Sequence, residues 1–356
     1  MPEASFDLRP FGLNLTLTPR TNFADLTLSL LLRSAEMKNT LLGDPSSITL
    51  QGVVYKIDKI AGEGSYGRVF RVTDPKGQKY AIKEITDKLY DSRDVQVFMK
   101  ECVIQILLAE ESKAQPDGPY VCSLYELAYD KETHHAYIRS EWMRNSLEHL
   151  IEANNRTQND TLVPDAIVQT MQMLQFFGQR LQFNHRDLKG DNIMYVKDGS
   201  RRVFKLIDFG MSCLTWNGLT IHGGSYFKDT KPCFRQHRDA SQFVYYLFVK
   251  FQDILSSELK TALAQTIVAN VGNHTCAMTR DCPANGLTSW RTVYDFLNRP
   301  NVSVPKGSPF EIEYAMQQFQ KKSLCSTRKQ WNAKAKRCVR KSRKSQKSQK
   351  NSRRAE

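Results

Sequence analysis

The chain has 356 residues, of which 40% are apolar and 25% charged, and its formal net charge is +14. These proportions are ordinary for a folded globular protein, and they exclude collagen-like, wholly disordered and small disulfide-stapled classes. No apolar run approaches the roughly 20 residues that cross a bilayer, so we expect neither a membrane span nor secretion. Cysteines standing singly at Cys102, Cys122, Cys213 and Cys233 predict reduced thiols and an intracellular protein.

The first fifty residues predict an N-terminal extension that packs on the main domain or on a partner. Alternating leucines over residues 13–17 indicate a short strand, and the leucines of residues 26–42 predict a helix that ends at Gly43.

Residues 51–143 predict a small lobe built on an antiparallel sheet with one helix. Strand patterns over 69–72 and 80–82 flank a turn-forming Asp-Pro-Lys-Gly and predict a hairpin. A helical pattern follows over 93–108, and two further strands, over 121–129 and 135–140, complete this half.

Residues 144–320 predict a helical lobe. Ile167, Met171, Leu174, Gly178 and Leu181 recur at helical spacing, and residues 239–251 form a second apolar helical pattern. The predicted fold class is therefore α+β with two lobes and a cleft between them, the larger lobe being reduced in size.

The excess positive charge lies at the C-terminal end of the chain. Residues 321–356 contain fifteen Lys or Arg and one acid, which leaves 36 basic and 36 acidic side chains in residues 1–320. Such a segment predicts a disordered tail. It has the composition of a solubilising tail, a nuclear localisation signal, or a contact for an anionic partner such as nucleic acid, lipid or an acidic protein.

A glycine-rich segment, Gly62, Gly64 and Gly67, precedes Val69 between two predicted strands. Glycines allow a backbone to approach phosphates closely. A dinucleotide-binding fold would need a helix directly after the glycines. Because a strand follows instead, we predict a glycine hairpin that covers phosphates.

Lys83 follows Ala81 in the next predicted strand, where its ammonium needs a partner such as a phosphate or a carboxylate. Glu101 on the following helix is the first candidate carboxylate, and Glu84 and Glu110 are weaker ones.

The most specific segment is His-Arg-Asp-Leu-Lys-Gly-Asp-Asn over residues 185–192, followed by Asp-Phe-Gly at 208–210. Asp187 can accept or orient the proton of an attacking hydroxyl, and Lys189 can offset charge on a phosphate in transfer. Asn192 and Asp208 offer oxygen ligands to a hard divalent cation.

Together these motifs resemble the eukaryotic-type protein kinase family over about residues 55–251. The resemblance implies ATP and Mg as cofactors and a protein substrate with a Ser or Thr hydroxyl, the latter because Lys189 is typical of Ser/Thr kinases. It implies that the glycines, Val69, Ala81, Lys83 and Glu101 serve the nucleotide. It also implies that Asp187 is the catalytic base, and that Asn192 and Asp208 bind magnesium. By the same resemblance, the backbone of Glu141 to Met143 would bind adenine and Ser140 would line the back of that pocket.

The resemblance weakens after Asp208. The family's Ala-Pro-Glu is absent, with residues 227–232 in its place, and Asp239 opens its helix without the usual following residues. Two alternatives therefore stay open, a pseudokinase scaffold and a kinase acting on a small molecule or lipid. A nucleic-acid-binding role through the tail would be accessory. Candidate regulatory phosphorylation sites are Ser212, Thr215, Thr220 and Ser225.

Cys325 and Cys338 bracket a basic segment that resembles the two-cysteine adaptor module on kinases and peptidases of large cytoplasmic DNA viruses. Two cysteines cannot close a four-ligand zinc site in one chain, but they can contact a partner protein. The resemblance implies a viral kinase in the host cytoplasm or virion, or in the nucleus through the tail.

Overall fold

The structure is a computed structural model that describes residues 4–39, 44–64, 67–86, 89, 92–199, 201–223, 238–263, 309–323, 329–332 and 337–340. The chain divides into two compact units. The first unit comprises residues 1–149 and 173–239, and the second comprises residues 150–172 and 240–356. The predicted domain boundaries near residues 51, 144 and 321 remain predictions.

The N-terminal extension is folded and is part of the first unit. Strand β1 (Phe6–Asp7) pairs with β2 (Thr16–Leu17), and short 3-10 turns follow at Phe23–Asp25 and Leu28–Leu30 before strand β3 (Ala35–Asn39). The helix predicted over residues 26–42 is therefore wrong. Backbone pairing of β3 with the neighbouring strand overrides the local leucine periodicity, because it satisfies the strand's hydrogen bonds and buries Ala35.

Seven antiparallel strands form the central sheet of the first unit, in the order β3-β4-β5-β6-β7-β9-β8. The predicted hairpin is confirmed, since β6 and β7 pair around a turn closed by the bond from Gly77 N to Asp74 O (3.0 Å). The strand bounds are β4 (Pro45–Leu50), β5 (Val53–Gly64), β6 (Gly67–Thr73), β7 (Lys79–Ile85), β8 (Leu124–Tyr129) and β9 (Ala136–Glu141).

The sheet curls so that the chain just before β3 meets the opposite end of the strand order. Ser34 bridges Tyr129 of β8 in parallel, and Tyr129 N donates to Arg33 O at 2.9 Å. One face of the sheet encloses a buried apolar cluster, which removes its side chains from water and stabilises the curl. That cluster includes Ile48, Leu50, Phe70, Val72, Ile82, Ala128 and Tyr137.

Helix α1 (Ser92–Ser112) confirms the helix predicted after the hairpin and is longer than expected. It buries Val95, Met99 and Val103 in the first unit. The later elements of this unit are the start of α2 (Leu147–Ala153) and two hairpins, β10 (Ile193–Asp198) with β11 (Arg201–Leu206) and β12 (Cys213–Trp216) with β13 (Leu219–His222).

The thiol prediction holds at two cysteines and fails at a third. Cys102 and Cys122 are free and buried, as expected. Cys213 is disulfide-bonded, so the prediction of a reduced thiol is wrong at that position. Cys233 lies outside the described residues.

Both predicted helices of the later chain are confirmed, as α3 (Arg156–Leu181) and α4 (Arg238–Phe251). Along α3, Ile167, Met171, Leu174 and Leu181 are buried and Gly178 is half-buried. The second unit also contains helical residues 257–263 and helix α5 (Pro309–Ser323).

In the predicted tail, β14 (Lys329–Asn332) pairs with β15 (Arg337–Arg340), so this segment has local secondary structure. Cys325 lies outside the described residues. The predicted α+β class, with an antiparallel sheet preceding a helical region, is confirmed. No helix within the described ranges is long and apolar enough to cross a membrane.

Candidate active site

The glycine-rich segment forms the tip of the β5–β6 hairpin, where Gly64 pairs with Gly67. Gly67 has φ +134°, and a Cβ there would stand 1.8 Å from the Glu84 carbonyl oxygen, so only glycine fits. A Cβ at Gly62 would meet nothing within 4 Å. The fold thus requires glycine at 67, whereas the missing side chain at 62 leaves open space for a ligand.

Val69, Ala81 and Lys83 share one face of the sheet. Val69 stands opposite Lys83 in the β6–β7 register, and Ala81 precedes Lys83 by two residues, which is one full strand repeat. Ser140 of β9 stands opposite Ala81, so it belongs to this face as well. The four residues predicted to surround the nucleotide are therefore neighbours on one surface.

Lys83 pairs with the first candidate carboxylate, Glu101 of α1, at 3.5 Å between Nζ and Oε1. The two weaker candidates are wrong. Glu110 instead pairs with Lys113 at 3.4 Å. Glu84 points to the opposite face of the sheet from Lys83, where it is engaged by other partners.

Glu84 is the centre of a buried polar cluster that no sequence pattern predicts. Its side chain is 1% exposed and accepts from Arg68 (2.7 Å), His135 Nδ1 (3.0 Å) and the Tyr137 hydroxyl (3.2 Å). Burial, followed by the Glu84 charge, raises the pKa of Tyr137, so its hydroxyl stays protonated and donates. The cluster anchors Arg68, at the base of the glycine hairpin, to β7 and to the start of β9.

Asp208 joins the Lys83–Glu101 pair in one electrostatic cluster. The Glu101 charge, with a further contribution from Asp208, raises the pKa of Lys83 against the opposing effect of burial. A Cβ on Gly210 would lie 3.3 Å from Glu101 Oε2 and 3.6 Å from Asp208 Oδ1. Glycine at 210 therefore lets the two carboxylates approach the same point, beside a fully charged lysine.

Asp187, Lys189 and Asn192 form a second cluster in the loop before β10. Lys189 Nζ and Asn192 Nδ2 each lie 3.0 Å from Asp187 Oδ2, and Asn192 Nδ2 also donates to Asp187 O at 2.8 Å. The Asp187 side chain remains 16% exposed. These contacts hold the carboxylate in one orientation while leaving it reachable from solvent.

The side-chain oxygens of Asn192 and Asp208 are suited to a magnesium ion that also binds phosphate oxygens. The amide nitrogen of Asn192 is used on Asp187, which leaves its amide oxygen as the ligand atom, and Asp208 is exposed. The bond from Ile207 N to Asn192 O (3.0 Å) joins the two ligand-bearing segments. The described part of the chain holds no cluster of three or more His, Cys, Asp or Glu side chains suited to a metal.

Asp239, in the first turn of α4, holds the chain segment that leads into Asp187. Its buried carboxylate accepts from the backbone N–H groups of His185 (2.6 Å) and Arg186 (3.0 Å) and from Asn184 Nδ2 (3.1 Å). His185 in turn contacts Ile207 O through Nε2 at 2.9 Å, and its ring lies 5.4 Å from that of Phe209. Asp239 was recognised in the sequence as the acid at the start of an apolar helix, but its contacts with residues 184–186 were not predicted.

The predicted adenine connection follows β9, where the Glu141 carboxylate accepts from Lys205 Nζ at 2.7 and 2.8 Å. Met143 is buried. Lys205 lies in β11, three residues before Asp208, and is itself buried. Lys205 was not predicted as a site residue, although a lysine inside an apolar strand is the same signal that singles out Lys83.

The candidate phosphorylation sites differ in access. Ser212 is fully buried and donates to His185 O at 3.2 Å, so it is not available to an incoming kinase. The hydroxyls of Thr215 and Thr220 face each other across the β12–β13 hairpin at 3.2 Å. Ser225 and residues 227–232 lie outside the described residues.

Comparison with known proteins matches the family described as protein kinase domain to residues 55–227. The chain is 31% identical over 160 residues to mouse cyclin-dependent kinase-like 4, covering 44% of this chain and 43% of that protein. It is 30% identical over 168 residues to Arabidopsis thaliana mitogen-activated protein kinase 9, covering 46% and 30%. It is 30% identical over 166 residues to Drosophila melanogaster dual specificity tyrosine-phosphorylation-regulated kinase 2, covering 45% and 21%.

The chain thus spans less than half the length of these relatives. The matched residues contain the glycine hairpin, the Lys83–Glu101 pair, the Asp187 loop and Asp208. The family match and the fold agree that residues 55–227 are similar to a protein kinase domain.

Proposed function

We propose that the protein transfers the γ-phosphoryl group of ATP, with magnesium, to Ser or Thr hydroxyls of protein substrates. The observation that carries the proposal is the cluster of Lys83, Glu101 and Asp208, in which a charged lysine and a carboxylate ligand approach one point. Positioning and charge neutralisation are the main demands of phosphoryl transfer.

In this proposal each side chain has one task. Lys83 binds the α- and β-phosphates and is held in place by Glu101. Asp187 receives the proton of the acceptor hydroxyl and directs its oxygen in line with the γ-phosphorus. Lys189, 3.0 Å from Asp187, offsets the negative charge on the transferring group.

Asn192 and Asp208 would hold the magnesium, which when bound neutralises charge on the phosphates and orients them. The bonds from Asn192 to Asp187 fix the amide oxygen relative to the base. The backbone of Glu141 and Met143 would bind adenine, and the Lys205–Glu141 ion pair would keep that connection in register with the strand before Asp208.

The pseudokinase alternative is less favoured because a scaffold needs neither an oriented Asp187 nor an exposed Asp208. The relatives named above support a protein acceptor, since their names describe protein kinases. A small-molecule or lipid acceptor is kept as an outcome of the test.

The test supplies labelled ATP and magnesium to the full chain with protein, lipid and small-molecule acceptors, followed by analysis of the labelled residue. We expect label on Ser or Thr of protein. Replacing Asp187 by Asn should lower turnover by about 10²–10⁴-fold, because it removes the base, while nucleotide affinity stays unchanged. Label confined to lipid or small molecules, or unchanged turnover in D187N, would contradict the proposal.

A further inference from the structure

The N-terminal extension contacts both structural elements that carry the Lys83–Glu101 ion pair. Lys83 lies on strand β7 of the sheet and Glu101 on helix α1, and the distance between their charged atoms depends on how the helix is held against the sheet. Contacts that hold α1 against the sheet therefore fix this distance. The extension contacts both the sheet and the helix.

The base of the extension is fastened to the sheet at β8. Arg33 Nη1 lies 3.1 Å from the buried carboxylate of Glu126, and Arg33 O accepts from Tyr129 N at 2.9 Å. A Cβ on Gly12, which has φ +91°, would stand 2.5 Å from the Leu127 carbonyl oxygen. The extension backbone is thus in close contact with the sheet.

The tip of the extension, the turn Phe23–Asp25, lies against α1. Gln96 Nε2 donates to Ala24 O at 3.1 Å, and Lys100 Nζ stands 5.8 Å from the centre of the Phe23 ring. Phe23 is 8% exposed. The turn is internally rigid, since Asn22 Oδ1 accepts from Ala24 N at 3.1 Å.

Gln96 and Lys100 are four residues apart and therefore share one face of α1. Glu101 follows Lys100 by one residue, about 100° around the helix axis. Holding the face of Gln96 and Lys100 fixes both the rotation and the distance of the helix, and with them the position of the Glu101 carboxylate.

We propose that residues 22–25 act as an intramolecular strap that positions α1, so that Glu101 stays paired with Lys83 without a separate protein bound to the helix. The strap consists of positioning residues, since they act through Glu101. The proposal rests on the proposed function for its effect on turnover, but its structural claim concerns α1 alone.

The experiment compares the full chain with F23A and, as a matched control, F11A. Phe11 belongs to the same extension, but its ring stacks on Phe6 at 6.5 Å in a turn packed beside β8. Hydrogen exchange over residues 92–112 and steady-state kinetics are measured on each protein. We expect F23A to increase amide exchange in α1 and to lower kcat by about tenfold, with a smaller change in the KM for ATP, whereas F11A changes neither.

A double-variant cycle distinguishes positioning from general destabilisation. If the strap acts through Glu101, F23A should cause little further loss of kcat in an E101Q background, because the contact it positions is already removed. Equal losses of kcat in both backgrounds would overturn the proposal. K100M, which keeps the aliphatic stem but removes the charge, should reproduce part of the effect if F23A does not fold.

The two proposals fail in distinguishable ways. Absence of phosphoryl transfer by the unmodified chain would overturn the proposed function, while the exchange measurement would still decide the strap. Unchanged α1 exchange in F23A and K100M would overturn the strap even in an active enzyme.

Discussion

At the scale of single residues, three carboxylates of the first unit lie in contrasting surroundings. Asp187 is oriented by Lys189 and Asn192, Glu101 stands beside Lys83, and Glu84 is enclosed by three donors. Glu84 illustrates a limit of sequence reasoning. Its partner His135 lies 51 residues away, and no local pattern connects the two.

Removing the buried carboxylate of Glu84 should destabilise the first unit strongly. E84A leaves Arg68, His135 and Tyr137 without their shared acceptor, and we expect the free energy of unfolding to fall by about 3 kcal/mol. The matched control is E110A, whose more exposed carboxylate pairs with Lys113 within one helix and should contribute less than about 0.5 kcal/mol. Denaturant unfolding measures both, and equal effects would contradict the buried cluster.

The buried thiol of Cys122 should make the protein less stable at alkaline pH. Burial raises its pKa from 9.0 to about 12, so above pH 9 the unfolded chain releases this proton while the native chain retains it. The unfolded state then binds fewer protons than the native state. Below pH 9 the contribution of Cys122 to the free energy of unfolding is therefore fully present. It declines by about 1.4 kcal/mol per pH unit as the pH rises toward 12.

The measurement compares wild type with C122A by urea unfolding at about pH 8 and about pH 10. Between these two pH values the free energy of unfolding of the wild type should fall by about 1.4 kcal/mol more than that of C122A, because one pH unit of the interval lies above 9.0. Parallel losses in the two proteins would show that the thiol ionises normally in the native state.

At the scale of elements, the sheet strands and helices were predicted where hydrophobic periodicity and turn chemistry agree. The β6–β7 hairpin and helices α1, α3 and α4 are examples. The helix predicted over residues 26–42 was wrong because leucine spacing is a local signal, and pairing with β4 makes residues 35–39 a strand. Lys205 and Asp239 were not assigned their contacts because their partners lie 64 and 54 residues away.

The glycine hairpin offers a test in which two similar substitutions should differ. G67A places a methyl group 1.8 Å from the Glu84 carbonyl oxygen at φ +134°, and we expect a loss of about 3 kcal/mol or a failure to fold. G62A meets no atom within 4 Å and should change the free energy of unfolding by less than about 0.5 kcal/mol. Thermal unfolding compares the two, and similar stabilities would contradict the hairpin geometry.

At the scale of the whole molecule, the residues predicted to face a nucleotide, the Asp187 loop and Asp208 all belong to the first unit. Motif order in the sequence was sufficient to predict that Lys83 pairs with Glu101; that these residues carry the chemistry remains a prediction. It was insufficient to predict the strap, because the extension contains none of the family's motifs. The roles of the basic segment 321–356 and of Cys325 and Cys338, a viral origin and the cellular location remain predictions.

The central claim is that one site gathers a nucleotide, its cation and an acidic base on this chain. Calorimetric titration of ATP with magnesium into the wild type, K83M, D208N and D187N tests it most directly. We predict saturable binding to the wild type and to D187N, and affinity weakened by about tenfold or more in K83M and D208N, because each loses a charged contact to the phosphates or their cation. Equal affinity in all four proteins, or no binding to the wild type, would contradict it.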